Sequence, residues 1–465
     1  MKLALPTALF ALCACVPTPL IKPTRGPPDE VSQLQGSASE ATALATSLCD
    51  AAGPRLTGSP GDALAVAWAV ETMTRLGFSN VHTEPVTVTR WVRGLEEAEV
   101  VSPVRQVLQL SALGNSVSTP EGGLEAEVVE VPSLDALTAL PDGSLAGKLL
   151  FVNVVMRRTV DGQGYGEAAP VRRLAGVHGV RAGAVGVLIR SVGTDSNRLA
   201  HTGGQGAEAS KLPVAALSIP DAELVHRLVA RGPVRLRLKL TMKLEGPVQS
   251  ANVVGEVLGR EKPDEVVLLG AHLDSWDQGT GALDDGAGVG LVLDVARLMK
   301  TLPHVPRRTV RVVLFANEEN GLSGAKAYGA AHADELPRHV LALEADLGSD
   351  RVRTVRLLSG TRASREALHT WGPWLRPLTV TLDDDDAMGG ADLSVLRAAG
   401  VPMLDLRQDA SRYFDLHHTA NDTVDKLDFE QLTQATRAFA TMTWLAAEQG
   451  VDFGRVPEGK RVRAH

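Results

Sequence analysis

From residue 246 onward, short unbroken apolar runs alternate with stretches of helical period. EVVLLG (265–270), TVRVVLFAN (309–317), VLALEADLG (340–348) and VPMLDLRQ (401–408) have the length and composition of buried strands. GAGVGLVLDVARLMK (286–300), GLSGAKAYGAAHA (321–333), ADLSVLRAAG (391–400) and FEQLTQATRAFATMTWLAAEQG (429–450) carry apolar residues at helical spacing. Strands that alternate with helices predict an α/β fold, a mostly parallel sheet sandwiched by helices. Two further helices, 38–52 and 60–77, and a strand at 80–90 precede this region. Between 119 and 245 the texture changes. Short β-type runs (AEVVEV, KLLFVNVV, AVGVLIRSV, VRLRLKL) alternate with glycine-rich loops, with helical pieces near 166–182 and 220–231. This segment reads as a smaller β-rich domain inserted between 31–118 and 246–452, with 453–465 left as a tail.

The chain has 465 residues, 44% hydrophobic and 22% charged, ample for a sizeable core. Its formal net charge of -8, with no basic block, argues against nucleic acid as a partner. The first 15 residues, MKLALPTALFALCAC, have one lysine, a short apolar run and then small residues, the pattern of a signal peptide. Leu12-Cys13-Ala14-Cys15 resembles a bacterial lipobox, so Cys15 is expected to carry lipid. Residues 16–30 then read as a linker, and the protein as exported, in the cell envelope or secreted, with any membrane contact through that anchor.

Candidate chemistry gathers at the ends of the predicted strands, where ligands of α/β sheets bind. GAHLDSWDQGTGALDDGAG (270–288) holds one histidine and four acidic residues with no lysine or arginine. His272 and Asp274 follow the first strand, Glu318 and Glu319 the second, and Asp346 ends the third. Asp284 and Asp285 precede a helix in a glycine-bounded turn, and RYFDLHHTANDT (412–423) adds His417 and His418. Histidines and carboxylates brought to one rim suit a pair of zinc ions, whose charge the crowded acids need. His201, alone in a loop, reads as structural.

The order H-x-D, D-D-G, E-E, a later Asp and H-x-x-x-D-T resembles the M28 family of zinc peptidases, closest in wording to its carboxypeptidase Q branch. CDAAGPRLTGSP near the N-terminus shares the resemblance, and 119–245 resembles a protease-associated domain. The likeness implies the zinc exopeptidase fold (phosphorylase/hydrolase-like) and two zinc ions per chain. His272 and Asp346 would bind one ion, Glu319 and His418 the other, and Asp284 both. Glu318 would be the general base that activates water held between the metals, and Asp274 would hydrogen-bond the ring of His272. A cis peptide bond is expected at Asp284–Asp285. His417 stands where several relatives have a carbonyl-polarising tyrosine, and Asp392 in MGGADLSV falls in a segment that lines the family's substrate pocket. The substrate would be a short peptide or dipeptide, and a homodimer is expected. Two other functions share these features. A glutaminyl-peptide cyclotransferase uses a similar ligand set with one zinc, and a receptor or scaffold keeps the fold without metal. The inserted segment, the wording HLDSWD and HHTANDT, and the full set of ligands and base favour the exopeptidase.

Overall fold

The computed structural model describes residues 26–205 and 211–461. The signal peptide with its lipobox, the linker up to 25 and the last four residues of the tail lie outside them.

Eight strands form the main sheet, in the order Ser79–Val92, Lys243–Val257, Arg308–Phe315, Lys262–His272, His339–Glu344, Met403–Gln408, Val352–Leu358, Thr381–Leu382. The central four run parallel, Lys262–His272 lying between Arg308–Phe315 and His339–Glu344. Strands flanked by neighbours on both edges must bury both faces, which is why their sequences are unbroken apolar runs. Alternate residues serve opposite cores. Val267, Leu269 and Ala271 join the helices Ala41–Ala52, Ala287–Met299 and Phe429–Glu448, whereas Val266 and Leu268 meet Tyr328 and Leu396. The helix Ala287–Met299 fits close to the sheet because Gly288 stands where a Cβ would lie 2.1 Å from the Ala345 carbonyl oxygen.

A second eight-stranded sheet is built from residues 96 to 240. It therefore opens at Glu96 rather than at 119. Glu96–Ser102, Gln106–Leu108 and Leu110–Ala112 pair within it, and two of these are only three residues long, too short to show a period. Lys243–Val257 crosses the expected boundary at 245 and belongs to the main sheet. The helical piece near 166–182 is two helices, Gln163–Ala168 and Pro170–Ala182, the second begun by proline at its first turn.

Both ends of the expected peptidase region extend further than the sequence suggested. A helix, Asp29–Gly36, starts inside the linker once its prolines end, and its Val31 and Leu34 are buried. The tail is anchored by the buried side chains of Phe453 and Val456. Helix 391–400 is reduced to Ser394–Ala398, because Glu344 accepts the N–H groups of Asp392 and Leu393 and bends the segment before it. No helix among the described residues is long and apolar enough to cross a membrane.

Candidate metal centre

Three parallel strands deliver the site. His272 is the last residue of its strand and pairs in register with Phe315. Glu318 and Glu319 follow Phe315 in the turn beyond, and Asp346 lies two residues past Glu344, just beyond the end of the strand expected to contain it. Asp284 and Asp285 occupy a tight turn, Ala282–Gly286, with a cis peptide between them.

Asp284 is the hub. Its Oδ1 lies 3.0 Å from His272 Nε2, which is itself 3.7 Å from Asp346 Oδ1. Its Oδ2 lies 3.2 Å from His418 Nε2, which is 3.0 Å from Glu319 Oε2. One carboxylate thus faces two separate clusters, one oxygen to each. His417 Nε2 approaches the same Oδ2 less closely, at 3.6 Å, and its ring stacks on His418 with centroids 3.5 Å apart.

The tautomers explain why a cation suits these clusters. His272 Nδ1 donates to the Asp274 carbonyl at 3.0 Å, and His418 Nδ1 to the Thr202 carbonyl at 3.2 Å. In its neutral form each ring then turns its Nε2 lone pair toward carboxylate oxygens. Acceptor faces acceptor unless a proton or metal ion lies between them. Ligand atoms about 2.1 Å from a tetrahedral zinc stand about 3.4 Å apart. The observed spacings of 3.0 to 3.7 Å bracket that value. Asp284 Oδ2 and Glu319 Oε1 are buried with no hydrogen-bond partner among the described residues. The donor set, two imidazoles and three carboxylates with a third imidazole, His417, close to Asp284 and His418, fits zinc.

The charge balance points the same way. Burial, and then repulsion from neighbouring carboxylates, pushes the Glu318 and Glu319 carboxyls well up. Asp285 is raised by burial too. Burial would also raise Asp284, but its contacts with His272 and His418 hold it well below the usual range. His417 and His418 are both pushed down by burial, with positive neighbours adding to it.

Other residues hold the donors in place. Asp285 Oδ2 accepts the N–H of His272 at 3.2 Å, and its Oδ1 accepts that of Gly288 at 3.0 Å. Asp274 departs from expectation. Its carbonyl, not its carboxylate, takes the His272 ring proton, and the carboxylate oxygen sits 3.8 Å from that ring. The carboxylate instead accepts the Glu318 N–H at 3.1 Å. The side chain of Glu318 is half-buried and forms no hydrogen bond or ion pair among the described residues.

Two positioning residues escaped the sequence reading. Arg55, fully buried, donates to the carbonyls of Leu273, Thr280 and Gly281 at 2.5, 2.5 and 2.9 Å, tying together the loops that carry His272 and Asp284. Asp422 accepts the N–H of Leu283 at 2.6 Å and of Asp284 at 3.1 Å. Both lie in quoted motifs, so the signal was present, but not the contacts. His201 is buried; its Nδ1 is 2.7 Å from the His417 carbonyl, to which it donates, and its Nε2 lies 2.9 Å from Asp195.

A cleft of about 640 Å³ opens beside Asp346, walled by Tyr165, Glu344, Gly389 and Phe414. Asp392 is fully buried rather than on its wall, because Glu344 draws its backbone inward, and neither of its carboxylate oxygens has a partner among the described residues. Trp276 is buried against Trp91 and His418, and Asp277 pairs with Arg93 at 2.8 Å. The acidic run 383–386 is balanced by Arg356, Arg365 and Lys460.

Comparison with known proteins bears directly on this centre. Residues 252–443, which hold every donor named above, match the model of peptidase family M28. Mouse carboxypeptidase Q is 34% identical over 404 residues, 86% of this chain and 84% of its own. The human carboxypeptidase Q is 32% identical over 406 residues, with the same coverage. A peptidase M28 precursor from Shewanella amazonensis SB2B superimposes with a TM-score of 0.89 at 42% identity, over 92% of this chain and 98% of its own. A zinc aminopeptidase from Bacillus subtilis, 20% identical with a TM-score of 0.65, shares the fold. With that coverage and the donors in family order, the chain belongs to peptidase family M28 and is similar over most of its length to carboxypeptidase Q.

Proposed function

We propose that this chain is a zinc-dependent exopeptidase that hydrolyses short peptides and holds two zinc ions. The observation that carries this reading is Asp284, whose two oxygens face two separate histidine–carboxylate clusters. His272 and Asp346 would hold one ion, His418 and Glu319 the other, and Asp284 both. Bound zinc would supply the positive charge that acidifies water toward neutral pH and polarises a carbonyl.

The protein's own residues do the proton work. Glu318 is tethered by its backbone N–H to Asp274, and no group among the described residues hydrogen-bonds its carboxylate. It takes a proton from the attacking water and returns it to the departing amine, acting first as base and then as acid. Glu319, one residue on, is turned instead to His418. The cleft beside Asp346 receives the substrate. Residues 1–15 support export, with lipid attached at Cys15. The test is hydrolysis of a panel of dipeptides and aminoacyl reporters by the purified mature chain. Release of amino acids that a chelator stops and zinc restores supports the reading, and a folded, zinc-loaded chain that cuts none of them refutes it.

A further inference from the structure

His272 and His418, the two imidazoles proposed to hold metal, are oriented by different parts of the chain. His272 is held from within its own region. Asp285 accepts its N–H at 3.2 Å, and the Asp274 carbonyl accepts its ring proton at 3.0 Å. His418 takes its support from the second sheet. Its Nδ1 donates at 3.2 Å to the carbonyl of Thr202, in the connection between the strands Gly186–Arg190 and Val214–Leu217.

The backbone of His418 is held from the same place. Its φ is +63°, in the left-handed region that a residue with a Cβ seldom occupies. A residue's φ and ψ are set by how the rigid peptide groups on either side of it are turned. Here consecutive residues of the second sheet pin both groups. The His417 carbonyl, in the peptide before His418, accepts from His201 Nδ1 at 2.7 Å. The His418 carbonyl, in the peptide after it, accepts the Thr202 N–H at 3.0 Å. With the ring bond to the Thr202 carbonyl, His201 and Thr202 fix the backbone, ring angle and tautomer of one proposed ligand.

His201 is itself firmly set. It is fully buried, and its Nε2 lies 2.9 Å from Asp195 Oδ1. Its N–H donates to Ser191 Oγ at 2.9 Å, and that hydroxyl donates to the Leu217 carbonyl at 2.6 Å. The ring packs directly on Gly193, where a Cβ would stand 2.4 Å from its Cε1. Thr202 is fixed as well. Its hydroxyl donates to the Ala112 carbonyl at 2.8 Å and accepts from Arg93 Nη2 at 3.2 Å. Groups that orient a metal ligand in this way usually cost about 10- to 100-fold in metal affinity when they are removed.

We infer that His201, steadied by Asp195, is a positioning residue for one of the two zinc sites alone: it holds the peptide that turns His418 toward Glu319 and Asp284, and it leaves the site of His272 and Asp346 untouched. This inference rests on the two-zinc reading above. It also gives the second sheet a role, since that sheet supplies none of the proposed donors, yet orients one of them.

The test is equilibrium zinc binding by the purified mature chain as wild type, His201→Ala and His201→Asn. Wild type should bind two equivalents. In His201→Ala one equivalent should keep its wild-type affinity, and the other should weaken about 10- to 100-fold. His201→Asn, whose side-chain amide N–H replaces the Nδ1 donor, should recover most of that loss. A histidine that serves only stability would lower the unfolding temperature and leave both zinc affinities alone. That result, or equal weakening of both sites, overturns the inference. Should His201→Ala fail to fold, Asp195→Ala, which removes the group behind the ring, should show the same one-sided weakening at smaller amplitude, and two unchanged or equally weakened sites refute it. Wild type that binds fewer than two zinc ions removes the two-zinc reading, and the metal-free proteins then decide. Histidine nitrogen-15 spectra should show His418 protonated at Nδ1 alone in wild type and as a mixture of tautomers in the variant, and an unchanged His418 refutes the positioning role.

Discussion

The carboxylate of Asp274 accepts the backbone N–H of Glu318 at 3.1 Å, while the carbonyl of the same residue takes the ring proton of His272. One residue thus sets the position of the proposed base with its side chain and the orientation of a proposed metal ligand with its backbone. The two roles can be separated by mutation. Asp274→Ala should lower kcat by about 10- to 100-fold, the usual cost of removing such a support, yet retain zinc, because the carbonyl that orients His272 remains. Parallel metal analysis and steady-state kinetics check this. Zinc loss at unchanged kcat would reverse the assignment.

The two adjacent histidines should behave differently. His418 lies 3.0 Å from Glu319 and 3.2 Å from Asp284, whereas His417 reaches only Asp284, at 3.6 Å. His418→Ala should leave one zinc per chain. His417→Ala should keep both and show its effect in kcat. Elemental analysis of the two variants distinguishes them.

Arg55 makes a separate prediction about stability. Its guanidinium donates to three carbonyls, two of them buried, and Arg55→Met would leave all of them without that donor. Destabilisation of the metal-free protein by about 3 to 5 kcal/mol is expected, at the high end for one substitution. Denaturant unfolding in the presence of chelator measures it directly. A loss below about 1 kcal/mol would show that these carbonyls find other donors.

His339 should make the fold sensitive to acid far from the metal centre. It is buried, its Nδ1 donating to the Glu335 carbonyl at 3.2 Å and its Nε2 lying 2.8 Å from the Tyr328 hydroxyl. Burial lowers it from 6.5 to about 4. Between those values the unfolded chain binds a proton that the folded chain does not, so stability contributed at neutral pH is lost as pH falls from 6.5 toward 4. The span corresponds to about 3 kcal/mol. Unfolding of metal-free wild type and His339→Gln across this range should show a gap that is widest near neutrality and narrows as acid is added. A constant gap would mean that His339 does not titrate in this window.

The peptidase half of the fold was legible because its central strands are unbroken apolar runs and its donors sit at their ends. His272, with Glu318 and Glu319 just beyond Phe315, needed only a strand-end rule to be placed. What stayed hidden depended on contacts between distant segments. Asp422 holds the backbone of Asp284 from 138 residues away, and no local pattern distinguishes it from an ordinary loop acid. Arg172 lies in a helix of mixed composition, and nothing local shows that it is buried against Tyr165 and Gly203. The start of the second sheet was misplaced for a different reason. Gln106–Leu108 and Leu110–Ala112 are too short for alternation to be read and are held by pairing alone.

Whether Asp284 joins two metal sites is decided by zinc titration of the metal-free chain with hydrolysis followed in parallel. Two equivalents should bind per chain, with peptide hydrolysis appearing as they fill, and both should be sharply reduced in Asp284→Asn. A folded chain that saturates at one equivalent, or binds none, would contradict a bridging Asp284.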